Sequence, residues 1–389
     1  MQFSRRAQWS TGSNALSALL AAKRARGENI LDLTESNPTR CGFKYADARW
    51  LAAFSDPANL KYDPDPRGLV SAREAVCAYY AERGLRVAPE RVFLTSGTSE
   101  AYAHLLRLLT DPGDAVAVPA PGYPLFDFVL GLSDVLPSRY RSAYEKGSWK
   151  LDTASLEEVC AEHPKAVIVV NPNNPTGRFV ERAERATINR LCHSAGAAII
   201  SDEVFLDFAV DGKGAAHSFA ANEETLTFTL SGVSKVLGLP QMKLSWIVVS
   251  GPETLAQAAC EKLEFITDAY LSVGTPVQRA LPEWLRMNRE PIREISARVS
   301  ENRRYLQETL KNDRAARVLN SEGGWYAILE CPGVKDDEAF ALELLEKHNV
   351  FVHPGYFFDL EGPNYFVLSL LPEEGMFRFA MKAFLAACT

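Results

Sequence analysis

The chain has 389 residues, 47% hydrophobic and 23% charged, with a formal charge of -7 and a pI near 5.6. That length exceeds what one hydrophobic core usually supports, so two domains are expected, and the acidic balance gives nucleic acid or an anionic membrane no general attraction. Seven scattered cysteines without a Cys-x-x-Cys pair suggest free thiols in a reducing cytoplasm, and no apolar run approaches a membrane span.

Arg5-Arg6 followed by Ala15–Ala22 faintly imitates a secretion signal, but the apolar run is short, broken by Ser17 and closed by Lys23-Arg24. The spacing predicts instead an amphipathic helix from Asn14 to about Arg26, then a strand at Ile30–Leu33 and a loop over Glu35–Gly42. A turn-rich segment, Tyr62–Gly68, precedes a helix running to about Arg83. From Arg91 strands and helices alternate. Strands are expected at 92–94, 115–118, 135–136, 167–170, 197–200, 226–230 and 244–249, with helices between most of them. This rhythm indicates a mostly parallel, seven-stranded sheet covered on both faces, whose ligands gather at the carboxyl ends of the strands. Long helices at about 252–265 and 290–311 follow, then a smaller α+β unit. The expected division is a large domain over 45–280 and a small one built from 1–44 and 281–389.

Four stretches carry chemistry. Ser231-Gly-Val-Ser-Lys-Val-Leu-Gly238 sets Lys235 among small residues after an apolar run, where a desolvated amine becomes a nucleophile toward carbonyls; an exposed loop lysine is the alternative. Leu94-Thr-Ser-Gly-Thr-Ser-Glu100 passes from strand to helix through hydroxyls and a glycine. It forms a phosphate cradle, or else Ser96, Thr98 or Ser99 merely caps the helix. Val170-Asn-Pro-Asn-Asn-Pro-Thr-Gly177 is too constrained for a generic turn and offers the Asn174 amide at the sheet edge. Ala197-Ala-Ile-Ile-Ser-Asp-Glu203 ends a buried strand on two carboxylates, of which Asp202 needs a cationic partner such as a protonated heterocycle. A reactive lysine, a phosphate cradle, an amide and a buried acid are together what pyridoxal phosphate requires.

At these residues the sequence resembles the class I/II aminotransferases of fold type I, the pyridoxal-phosphate-dependent transferases, over nearly its whole length. The resemblance implies Lys235 as Schiff-base lysine, Asp202 on the pyridine nitrogen and Asn174 on the ring hydroxyl. It also implies Ser96, Gly97 and Thr98 around the phosphate, where Ser231 and Ser234 are expected to compensate for a serine the family often has at position 232, and Tyr123 stacked on the ring. Tyr62 would reach a neighbouring subunit's phosphate, which implies a homodimer with shared active sites.

Departures from the family pattern fall at Phe205, where a tyrosine is common; at Lys243, where an arginine binds phosphate; at Gly232, often a serine; and at Val367, where an arginine clamps the substrate carboxylate. Arg40 is the candidate replacement clamp, with Ser36 and Trp325 expected beside the substrate. The reaction expected is exchange of an amino group between an amino acid and a 2-oxo acid. Decarboxylation, lyase chemistry and amine oxidation are alternatives made plausible by Val367 and Phe205. A silent cofactor sensor is the alternative of a different class, and no metal is expected.

Overall fold

The computed structural model describes residues 3–7, 12, 14–45, 48–362 and 364–388. Its larger sheet has the strand order Val92–Thr95, Ser245–Ser250, Thr227–Gly232, Ala198–Asp202, Ala166–Val170, Ala115–Ala120, Leu136–Glu145 and Ser148–Leu151. Pairing is parallel from Thr227–Gly232 through to Leu136–Glu145, and Ser245–Ser250 runs antiparallel to both of its neighbours. The central strands are buried on both faces because helices cover both, as a parallel sheet demands: every residue of Ala166–Val170, all apolar, and of Thr227–Gly232, where Thr227, Thr229 and Ser231 alternate with apolar residues, is buried.

The sheet has eight strands rather than the seven expected. The addition is a hairpin in which Leu136–Glu145 turns back into Ser148–Leu151 through Lys146 and Gly147, at φ 50° and 84°. Two successive positive φ values match the twist of paired strands, which makes the hairpin local and invisible to a search for βαβ rhythm. A helix at Thr275–Arg286 was likewise not expected, because Pro282 interrupts its pattern. Leu281, Trp284 and Leu285 are nonetheless buried, and packing overrides the one hydrogen bond that proline removes.

A second, antiparallel sheet joins Arg317–Val318, Tyr326–Glu330, Tyr365–Ser369 and His353–Pro354. Leu31–Asp32 pairs in parallel with Val350–Phe351, so the N-terminal segment docks on the C-terminal third. Leu16 and Leu33 share one core with Leu344, Phe366 and Phe377. Helix ends are fixed locally: the Asn14 side chain accepts from the Ser17 N–H at 2.8 Å and Asp336 from the Ala339 N–H at 2.9 Å. No helix among the described residues is long and apolar enough to cross a membrane.

Candidate active site

Five strands of the large sheet release their chains at one edge. Thr95 leads to Gly97, Ala120 to Tyr123, Val170 to Asn174, Asp202 ends its own strand, and Gly232 leads to Lys235. Their side chains meet Ser36 and Tyr326 from the smaller sheet's side around a cavity of about 190 Å³. Residues distant in sequence converge because parallel strands all exit the same way.

Lys235 lies on the one-turn helix Val233–Val236, and its amine points at two rings, 5.1 Å from the Trp325 centroid and 5.5 Å from that of Phe205. Among the described residues no hydrogen bond or ion pair engages it. Burial pulls its pKa from 10.5 down to about 8, against a weaker pull from Asp202. Gly232 has a specific reason to lack a side chain: a Cβ there would stand 2.2 Å from Ser245 Oγ on the paired strand.

Asp202 accepts from the Tyr102 hydroxyl at 3.0 Å and the Val204 N–H at 3.3 Å. Burial raises its pKa, and those two hydrogen bonds and Lys235 oppose the rise. The neighbouring Glu203 faces away from the cavity, where Ser201, Ser218 and the Phe219 N–H donate to it, and burial pushes it up to about 7.

The three asparagines of the loop divide their work. Asn171 bridges His217 O and the Val180 N–H, while Asn173 holds Pro121 O and the Thr176 hydroxyl, so both fix the loop itself. Asn174 is buried and faces the cavity, with its Oδ1 unpartnered. Tyr326 hydrogen-bonds with Ser36 and Asn174; burial, the stronger effect, takes its phenol to about 12.

Of the expected phosphate cradle, Thr98 and Ser234 line the cavity, whereas Ser96, Gly97 and Lys243 are not in its lining. The Ser96 N–H and hydroxyl both donate to Glu100, at 2.6 and 3.0 Å, and the Ser272 hydroxyl joins them at 2.7 Å. With its donors taken by a carboxylate, Ser96 does not line the cavity, whereas Thr98 and Ser99 do. Gly97 begins the helix Thr98–Leu109, and a Cβ on it would lie 3.2 Å from Lys243 Nζ. A cation and a helix N-terminus thus meet beside Gly97.

Other expected site residues fall outside the cavity. Arg40 is 72% exposed in its side chain and stands 3.8 Å from Glu35, so in this conformation it is a solvated ion pair outside the cavity lining. Trp325 is fully buried edge-on to Phe205 and Phe208, behind the cavity wall; the next residue, Tyr326, takes the wall position because successive strand residues face opposite ways. Val367 is fully buried with Trp149, Ile328 and Phe358, which leaves no room for a cation. Tyr62 is 79% exposed and lies in a separate groove beside Leu271. Tyr123, Phe205 and Ser234 do line the cavity.

Lys235 is the cavity's only Lys or Arg among the described residues. Tyr326 and Tyr102 escaped notice in the sequence. Tyr102 had a signal, since it lies four residues after Thr98 and therefore on the same helix face.

These residues fit pyridoxal phosphate. The buried Asp202 suits a ring N–H⁺, Asn174 brings to the cavity an amide whose Oδ1 has no partner, and the Gly97–Lys243 corner suits an anion. No group of three or more His, Cys, Asp or Glu among the described residues could hold a metal.

Comparison with known proteins agrees. The family described as aminotransferase class I and II matches residues 28–383. Glutamate-pyruvate aminotransferase AlaA of Escherichia coli K12 is 26% identical over 367 residues, covering 92% of this chain and 90% of that protein. An alanine aminotransferase of Mycobacterium tuberculosis is 27% identical over 356 residues, covering 90% and 83%. The fold is shared with a solved alanine aminotransferase from Pyrococcus furiosus, at TM-score 0.88 and 23% identity over 100% of this chain and 99% of that one.

Proposed function

The chain belongs to the aminotransferase class I and II family, pyridoxal-phosphate-dependent enzymes that transfer amino groups, and on that premise we propose that it exchanges nitrogen between an amino acid and a 2-oxo acid at the Lys235 cavity. The observation that carries the site is the Lys235 amine, unpartnered, lowered to about 8 and sharing a cavity with Asp202 and Asn174. When bound, the cofactor supplies an aldehyde that takes up amino groups and a ring that withdraws electrons.

The chain's own residues do the rest. Asp202 holds a proton on the ring nitrogen by charge. Asn174 donates to the ring oxygen without help from position 205, where phenylalanine has no hydroxyl. Tyr123 covers a ring face. Thr98, Ser99, the Gly97 backbone and Lys243 hold the phosphate, with Ser234 beside them. Lys235 Nζ, neutral above about pH 8, takes the proton from the substrate's α-carbon. Ser36 and Tyr326 receive the substrate carboxylate in place of a cation.

We also propose a homodimer in which Tyr62 of the partner subunit reaches the phosphate. Exposed apolar side chains at Leu60, Tyr62, Val70 and Leu271 support that interface. The free cysteines support a cytoplasmic setting. Alanine and glutamate, for which the relatives are named, are the first donors to try.

The test is to load the protein with pyridoxal phosphate, reduce with borohydride and map the modified peptide. Attachment at Lys235 is expected, and in an unreduced sample given amino acid, oxo acid released in proportion to loss of the bound cofactor's absorbance; a colourless protein with no modified Lys235 refutes the assignment.

A further inference from the structure

We propose that Tyr102 is the positioning residue that keeps Asp202 ionised, and so keeps the shared proton on the cofactor's ring nitrogen; this rests on the role given to Asp202 above. A proton between a buried carboxylate and a pyridine nitrogen has two homes. Either the ring is N–H⁺ facing a carboxylate, or the ring is neutral facing a carboxylic acid, and only the first form withdraws electrons strongly. Burial favours the neutral pair. Donors to the carboxylate favour the charged one.

Asp202 has two such donors, and Tyr102 is the only side chain among them, at 3.0 Å on Oδ2; the Val204 N–H lies at 3.3 Å on Oδ1. The other titratable groups acting on this region are Lys235, which attracts the carboxylate but forms no ion pair within reach, and Tyr123 across the cavity. Tyr102 cannot trade Asp202 for water. Its ring is 2% exposed and meets Phe126 edge-on at 5.6 Å, and burial, reinforced by Asp202, keeps its phenol protonated far beyond the working range.

Its place in the sequence gives the contact a further meaning. Tyr102 lies one turn beyond Thr98 on the helix Thr98–Leu109. The first turn of that helix faces the anion end of the cavity, and the second turn delivers a hydroxyl to the acid at the opposite end. Its neighbour across the cavity, Phe205, supplies none. The phenol that the family places beside the ring oxygen is missing, and this chain holds one beside the ring nitrogen's partner instead.

The experiment uses holoenzyme carrying cofactor labelled with ¹⁵N in the ring, comparing wild type, Tyr102→Phe and Asp202→Asn. Loss of one hydrogen bond to a charged group corresponds to about a ten- to hundredfold change. Tyr102→Phe should therefore move the ring ¹⁵N resonance part-way from the protonated toward the neutral value, and lower kcat by about that factor with KM changed less than about twofold. Asp202→Asn should move the resonance fully.

If Asp202→Asn moves it and Tyr102→Phe leaves it at the wild-type position, the proposal is wrong while the Asp202 assignment stands. If neither variant moves it, the Asp202 assignment itself fails, and this proposal with it. Should Tyr102→Phe not fold, wild-type protein grown on 3-fluorotyrosine gives a second reading. Its more acidic phenols donate more strongly, so the Asp202 carboxyl must titrate lower in the cofactor-free protein, and an unchanged titration overturns the proposal.

Discussion

Replacing Lys235 with methionine is expected to stabilise the cofactor-free protein, although it destroys the reactive amine. The folded pKa of about 8 lies below the unfolded 10.5, so between those values the unfolded chain holds a proton that the folded one has released. Stability therefore rises as pH rises through that window, and below it the fold carries a charged amine it disfavours. At 1.36 kcal/mol per unit the penalty at pH 7 is roughly 3 kcal/mol, and at pH 9.5 roughly 1 kcal/mol. The attraction of Asp202 is already contained in that shift.

Methionine has a similar length and no charge, so Lys235→Met should escape the penalty. Guanidinium denaturation of both cofactor-free proteins at the two pH values measures it by linear extrapolation. The variant should be more stable at pH 7 and its advantage should shrink at pH 9.5. Equal stabilities, or a difference that ignores pH, would mean the amine is hydrated and the nucleophile argument fails.

Three further outcomes are expected. Tyr326→Phe should raise KM for amino acids about three- to tenfold with kcat nearly unchanged, as steady-state kinetics would register, because one neutral hydrogen-bonding group leaves the cavity wall. Arg40→Ala should change KM less than about twofold, since an exposed ion pair contributes little; a larger rise would mean that the 35–42 segment folds over the substrate. Gly232→Ala should lose about 1–3 kcal/mol in thermal or chemical unfolding by overpacking against Ser245, and adding Ser245→Gly should recover part of it, since the Cα of residue 245 at 2.9 Å remains; no recovery at all would refute the overpacking account.

The sequence revealed the parts whose cause is local. Alternating β-branched runs and amphipathic helices announce a parallel sheet, and that sheet's exit rule alone brings Lys235, Asp202 and Asn174 to one edge. What stayed hidden depends on partners far away in the chain. Ser96 carries the right hydroxyl for a phosphate, but Glu100 and Ser272 claim it, and only the folded geometry shows that competition. Trp325 and Tyr326 are equally aromatic in sequence, and which of them faces the cavity is decided by the phase of a strand paired at Tyr326 with Ser369. Arg40 was a candidate by charge and proximity in sequence, neither of which tells where a three-residue turn aims its side chain. Tyr102 was legible in principle, from spacing alone.

The two sides of the cavity come from separate sheets, and that seam separates two kinds of evolutionary freedom. Within one chain, what is proposed to grip the cofactor hangs from the strand ends of the large sheet, whereas Ser36 and Tyr326 reach in from the smaller sheet's side. Replacements on the second side can retune what the enzyme accepts while leaving its reagent seated, so a laboratory seeking altered selectivity would randomise positions 36 and 326 before touching the strand ends.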